Sequence, residues 1–235
     1  MKPKLQPDKV VVLSGAGLSA ESGLPTYRDA DGLWNNHSWL ELASPDAWRR
    51  QPDVVQAFYN ERRRKAWDAE PNAAHRAIAA LESAFNVVVI TQNVDALHER
   101  AGSRNVLHLH GELAYARGTS SEPKRRFLGG DPVGMGQLCE DGTQLRPDVV
   151  WFGESVRHLD EAKRHLRSAG KVLVIGTSLT VQPAASLANA AHYMAEKMLI
   201  AKERPESMPR RFRFACGDAT LLVPRLVQLW MAEAG

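Results

Sequence analysis

Four short segments concentrate groups able to hold phosphate, bind an amide and move a proton. Ser14-Gly15-Ala16-Gly17-Leu18-Ser19-Ala20 sets two glycines where backbone N–H groups can approach a pyrophosphate, and a helix beginning there adds a favourable dipole. Thr91-Gln92-Asn93-Val94-Asp95 offers two amides and an acid, His108-Leu109-His110-Gly111 two imidazoles, and Gly176-Thr177-Ser178 small hydroxyls. Imidazole, with an unperturbed pKa of ~6.5, accepts a proton near neutrality without large tuning. Gly15-x-Gly17 alone lacks the GxGxxG spacing of hydride-transfer enzymes, and no second strand ending in an acid follows at ~20 residues. Spacing by itself therefore leaves a nucleotide site and an ordinary strand-to-helix turn both open.

The elements that must carry these groups are short β-branched runs: Val10 to Leu13, Val87 to Ile90, Val106 to Leu109, Val149 to Phe152 and Val172 to Ile175. They are continuously apolar rather than alternating, as strands covered on both faces require. Helical patterns separate them at Ala73 to Phe85, Asp160 to Ala169 and Ala184 to Met198. The expected fold is α/β, a Rossmann-like doubly wound parallel sheet, with the polar segments gathered at strand ends. Two stretches break the rhythm and are expected to form a smaller module from two insertions, about 26–72 and 112–148. The large part then comprises about 1–25, 73–111 and 149–235 of a single domain, and a ligand cleft is expected between the two parts.

Composition narrows the class. With 235 residues, 44% hydrophobic and 24% charged, the chain can bury a core without disulfides or metals. Its 30 basic and 27 acidic side chains leave a net charge of +3, too little for a dedicated nucleic-acid binder. The basic runs Arg62 to Lys65, Lys124 to Arg126 and Arg210-Arg211 with Arg213 read as solvated faces. No apolar run approaches the ~20 residues of a membrane span. The charged first nine residues and only two cysteines point to a cytoplasmic protein without a secretory signal.

Gly15 to Arg28 (GAGLSAESGLPTYR), Thr91 to His98 (TQNVDALH), His110-Gly111, Val149 to Glu154 (VVWFGE) and Gly176 to Leu179 (GTSL), in this order, resemble the sirtuins, NAD-dependent protein lysine deacylases. The matches span most of the chain, and the set is specific where each member is weak. The resemblance implies NAD as co-substrate with its pyrophosphate on Ala16 and Gly17. Gly15, Ser19, Ala20, Tyr27, Arg28 and Trp34 also fall on the cofactor side, with Arg28 on the cofactor loop. Gln92, Asn93, Val94 and Asp95 would line the nicotinamide ribose and amide pocket, and Gly176, Thr177 and Ser178 the adenosine side.

In the family reaction the acyl-lysine carbonyl oxygen attacks the anomeric carbon of that ribose, releasing nicotinamide and forming an alkylimidate. His110, with Asn93 as the second catalytic residue, would then act as general base on a ribose hydroxyl, leading to free lysine and O-acyl-ADP-ribose. Of the two imidazoles, His110, and not His108 two residues earlier, is the expected base. His37, His75, His98 and His165 read as structural or exposed.

Val150, Trp151, Phe152 and Gly153 resemble the segment that pairs in β fashion with the substrate peptide. Tyr59 and Arg62, i and i+3 on an expected helix, look like the pair marking the desuccinylase and demalonylase branch. Arg62 would grip a distal acyl carboxylate with help from the Tyr59 hydroxyl.

The chain departs from the family at two places. Most sirtuins hold a structural zinc on four cysteines, whereas Glu112 to Asp148 contains one cysteine, Cys139, and no histidine. Such an interval cannot assemble four thiolate or imidazole ligands, so no zinc is expected. Lys202 stands where an Asn usually contacts the adenine ribose, with Ala219 in the final adenine-contacting turn. The expected activity is a zinc-free, NAD-dependent deacylase of acylated lysine proteins or peptides, preferring succinyl or malonyl and removing acetyl more weakly. ADP-ribosyl transfer to a protein or to water, and low-turnover sensing of NAD or acyl-lysine, are the other readings.

Overall fold

The computed structural model describes residues 4–26 and 39–234. In chain order the elements are β1 (Gln6–Ser14), α1 (Ala16–Ala20), α2 (Trp39–Leu42), α3 (Pro45–Arg50), α4 (Pro52–Asp68), α5 (Ala73–Ala80), β2 (Asn86–Thr91), α6 (Leu97–Arg100) and β3 (Val106–His108). There follow β4 (Gly111–Arg117), β5 (Arg125–Phe127), β6 (Arg146–Val149), α7 (Leu159–Ser168), β7 (Ala169–Ile175), β8 (Glu196–Ala201), β9 (Arg213–Cys216) and α8 (Ala219–Ala234). Six strands pair in parallel in the order β3-β2-β1-β7-β8-β9, and β5-β4-β6 form a separate antiparallel sheet.

Strand β1 shows why its run is continuously apolar. Val10 and Val12 pack on one face with Ile78, Val223, Val227 and Trp230 of α5 and α8. Val11 and Leu13 pack on the other with Ala162 and Leu166 of α7 and the 3-10 segment Ala184–Ala190. Each such side chain contributes about 1.5–3 kcal/mol on burial, so alternate residues of one strand anchor both helical layers. Strand order reverses between β1 and β7, which is where the ligand crevice of an open parallel sheet lies.

Helix α4 packs on the small sheet through Tyr59, which shares a buried cluster with Leu113, Val149 and Trp151. Arg63, 1% exposed, ties the two insertions together. Its Nε donates to the Leu113 carbonyl at 2.6 Å and its Nη1 to Asn60 Oδ1 at 2.7 Å. Asn60 in turn binds both the N–H and the C=O of Val133. Burial lowers the Arg63 guanidinium to about 10.

Several local expectations are corrected. Val149 to Phe152 is not a strand of the parallel sheet: Val149 ends β6 of the antiparallel sheet, opposite Gly111. Ala184 to Met198 is not one helix but a 3-10 segment followed by the start of β8, whose Leu199 and Ile200 are buried. The basic run at 62–65 is not uniformly solvated, because Arg63 is interior. No helix among the described residues is long and apolar enough to cross a membrane.

Candidate active site

The turn after β1 approaches the turn after β7 so closely that side chains are excluded. Gly15 N donates to Ile175 O at 3.0 Å and Gly17 N to Gly176 O at 2.8 Å. A Cβ on Gly17 would lie 2.9 Å from Gly176 O, and one on Gly176, at φ +58°, would lie 2.3 Å from Leu18 N. The two expected phosphate-side turns therefore form one glycine-lined step at the switch point.

The loop after β2 supplies the amides and the acid. Asn93 Nδ2 donates to Gly15 O at 3.1 Å and to Ser19 Oγ at 2.9 Å, and Ser19 Oγ donates to Asp95 Oδ2 at 2.9 Å. Burial pushes the Asp95 carboxyl up, opposed by that bond and by the Leu97 N–H. Gln92 Nε2 reaches Thr177 Oγ1 at 3.2 Å, joining this loop to the turn after β7.

Both imidazoles lean on consecutive carbonyls of the same loop. His110 Nδ1 is 3.0 Å from Gln92 O and His108 Nδ1 is 3.1 Å from Asn93 O. Strand alternation cannot tell the two rings apart, since residues two apart share a face; β3 ends at His108 and the chain turns through Leu109 and His110. Burial lowers His110, with the Gln92 bond opposing. His108 is instead raised: burial opposes, but its 2.7 Å bond to Glu99 and the charges of Glu99 and Glu112 prevail. Glu99, His108 and Glu112 bring one atom each within 4.8 Å of one another, yet their charges are already matched, His108 by Glu99 and Glu112 by Arg125.

A cavity of about 660 Å³ connects these parts. Gly15, Ala16, Gly17, Gln92, Asn93, Val94, His110, Gly176, Thr177 and Ser178 line it, together with Tyr59, Arg62, Val150, Trp151, Phe152 and Gly153. A smaller recess of about 50 Å³ adjoins Ala16, Asn93 and Val94, with Ser19, Asp95 and Arg62 on its walls. Ala20, Lys202 and Ala219 line neither. Tyr27, Arg28, Trp34 and His37 lie outside the described residues. Arg62 is half-buried, its guanidinium 5.5 Å from the Phe58 ring centre and 5.8 Å from that of Tyr59.

Three supports were not foreseen. Arg146 stacks 3.3 Å from the centre of the Trp151 ring and clamps Glu154 at 2.7 and 3.1 Å, while Glu154 also accepts the Trp151 N–H at 2.8 Å. The Arg146 and Arg117 guanidinium groups hold the Glu154 carboxyl below its ordinary range, against the cost of burial. Glu21, from the turn after α1, accepts the N–H groups of Ala219 and Thr220 at 3.0 Å each and so caps α8. Only its acidic type was visible in sequence. At the same end Lys202 pairs with Asp218 at 3.1 Å, both partners well exposed. The other histidines are divided: His75 and His98 are buried with rings 4.9 Å apart, and His165 is partly buried.

Comparison with known proteins agrees with this geometry. The profile of the Sir2 family matches residues 15–183. An NAD-dependent protein deacylase of Helicobacter pylori is 52% identical over 183 residues, covering 78% of this chain and 80% of the relative. One from Vibrio parahaemolyticus is 42% identical over 226 residues, covering 93% of each. Among solved structures, a Sir2 homologue bound to NAD is 40% identical with a TM-score of 0.86, covering 97% of this chain and 91% of that one.

Proposed function

Because the chain belongs to the Sir2 family, we propose that this NAD-dependent protein deacylase prefers lysines bearing short acidic acyl groups, succinyl or malonyl, over acetyl. The observation carrying the reading is that Arg62 and Tyr59 stand on the wall of the same cavity as His110 and the glycine step. A guanidinium in a partly desolvated site favours an acyl chain ending in a carboxylate, and acetyl offers it no partner.

The residues at the switch point suit the co-substrate. Gly15, Ala16, Gly17 and Gly176 line the cavity with small residues that leave room for a pyrophosphate, and Gln92, Asn93 and Asp95 present amide and acid groups to a carboxamide and a ribose. When bound, NAD supplies an electrophilic ribose carbon with nicotinamide as leaving group. His110 then takes a proton from a ribose hydroxyl on Nε2, its Nδ1 being committed to Gln92 O. Asn93, braced on Gly15 and Ser19, orients the polar partners of that ribose. Val150 to Gly153 offers backbone to the substrate peptide, with Trp151 fixed beneath by Arg146 and Glu154.

The family's structural zinc does not suit the donors available here. Cys139 is buried, and its thiol donates to Lys124 O at 3.4 Å. Around it Asp141 accepts from the Ser120 hydroxyl and from both the N–H and the hydroxyl of Thr143. We therefore read the small module as held by this turn and by Arg63, without a metal.

Mass spectrometry of one lysine peptide in acetyl, malonyl and succinyl forms, with NAD and metal-free protein, tests the reading. Faster loss of succinyl or malonyl with matching O-acyl-ADP-ribose supports it. Equal or faster loss of acetyl removes the acyl assignment, and ADP-ribosylated peptide or free ADP-ribose without deacylation removes the reaction.

A further inference from the structure

His108 has no part in the reaction as described, yet it is 6% exposed and bonded at both nitrogens, to Asn93 O and to Glu99 Oε1. A carbonyl oxygen and a carboxylate oxygen can only accept, so both ring nitrogens carry protons. The surrounding charges are consistent with that state. Glu99 on α6 and Glu112 on β4 favour it, buried Asp95 is lowered by it, and His98 on α6, kept neutral by burial, does not compete.

We propose that His108 and Glu99 form a positioning pair that fixes the Asn93 peptide and, through it, the nicotinamide end of the NAD site. The proposal rests on the functional reading above and deepens it. A continuous chain of bonds runs from Glu99 through His108 to the Asn93 carbonyl, and from the Asn93 amide to Gly15 and Ser19, and on to Asp95. A freely turning Asn93 peptide would unsettle all three partners at once.

The pair works only while His108 carries two protons. When one is lost, the charge-assisted bond to Glu99 retains the other on Nε2. Nδ1 then presents a lone pair to the Asn93 carbonyl, and attraction becomes repulsion. Glu99→Gln reverses this preference: its amide donates to Nε2, so a neutral His108 keeps its proton on Nδ1 and still holds Asn93. A merely structural histidine would show no such reversal.

Calorimetric measurement of the NAD dissociation constant between about pH 6 and about pH 9 separates the cases. Wild type should weaken about five- to tenfold as His108 loses its proton, Glu99→Gln should bind equally tightly across the range, and His108→Ala should be weak throughout. A Glu99→Gln profile that follows wild type would overturn the proposal, as would a His108→Ala protein that binds like wild type. Absence of NAD binding by wild type at every pH would overturn the functional reading itself, and the proposal with it.

Discussion

His110 Nδ1 lies 3.0 Å from the carbonyl oxygen of Gln92, a group that can only accept. The bond places a proton on Nδ1 and leaves Nε2 as the ring's basic nitrogen. It also makes the backbone that follows β2 responsible for the tautomer of a residue that follows β3.

The first expected outcome follows from that tether. Burial holds His110 below the ordinary imidazole range, so it is neutral and able to accept a proton at pH 7. The acid limb of kcat/KM should therefore fall at a pH below the ~6.5 of a free imidazole. His110→Ala should lose about 10²- to 10⁴-fold in kcat with NAD binding largely kept. A pH–rate profile and single-turnover assays check both.

Arg62→Met should separate the acyl groups. Losing one charge-assisted contact costs about 1.5–3 kcal/mol, so kcat/KM for succinyl-lysine should fall roughly 10- to 100-fold. Acetyl-lysine should be turned over no more slowly than by wild type. Competition between the two peptides in one reaction measures the ratio directly.

Much of this site was legible before the fold was known, for identifiable reasons. Val10 to Leu13 and Val172 to Ile175 are covered on both faces, so their sequence is an unbroken apolar run, and the polar residues that follow them had to sit at strand ends. Strand β9, by contrast, lies at the sheet edge with Arg213 and Cys216 exposed, and shows no such run. Helix α8 has buried residues at Val223, Leu226, Val227 and Trp230 but carries Pro224 inside it, a residue that ordinarily argues against a helix. The supporting contacts, Glu21 with Ala219 and Arg146 with Trp151, depend on chain approach in space and leave no local pattern.

Acid should weaken the fold through His75. Its folded pKa is lowered to about 4, chiefly by burial, so as pH falls the unfolded chain binds the proton first. The corresponding stability, about 3 kcal/mol, is full above ~6.5 and is lost as pH falls toward about 4. Neighbouring His98 is shifted in the same direction. Urea midpoints between pH 7 and pH ~4.5 should fall steeply in wild type, and less steeply in His75→Leu, even though that variant starts lower.

Gly17→Ala should remove NAD binding. The new methyl would stand 2.9 Å from Gly176 O and 3.0 Å from Gly176 Cα, both backbone, so the two turns must part. Overpacking of this kind costs about 1–3 kcal/mol. The protein should remain folded by circular dichroism with a lowered Tm, and calorimetry should show no NAD heat.

Metal removal provides the last expected outcome. Exhaustive chelation should leave Tm and deacylation unchanged, because the turn at residues 139–143 closes on itself: Cys139 N donates to Thr143 O at 2.7 Å while Asp141 gathers Ser120 and Thr143. Asp141→Ala should open that turn instead, raising the proteolysis rate between β5 and β6 several-fold while the antiparallel pairing of β4 with β6 is kept. The segment proposed to take the substrate peptide, Val150 to Gly153, follows directly on the end of β6 at Val149, so the same variant should raise KM for the peptide more than KM for NAD. If chelation alone reproduced that pattern, a bound metal and not the Asp141 turn would be what holds the module.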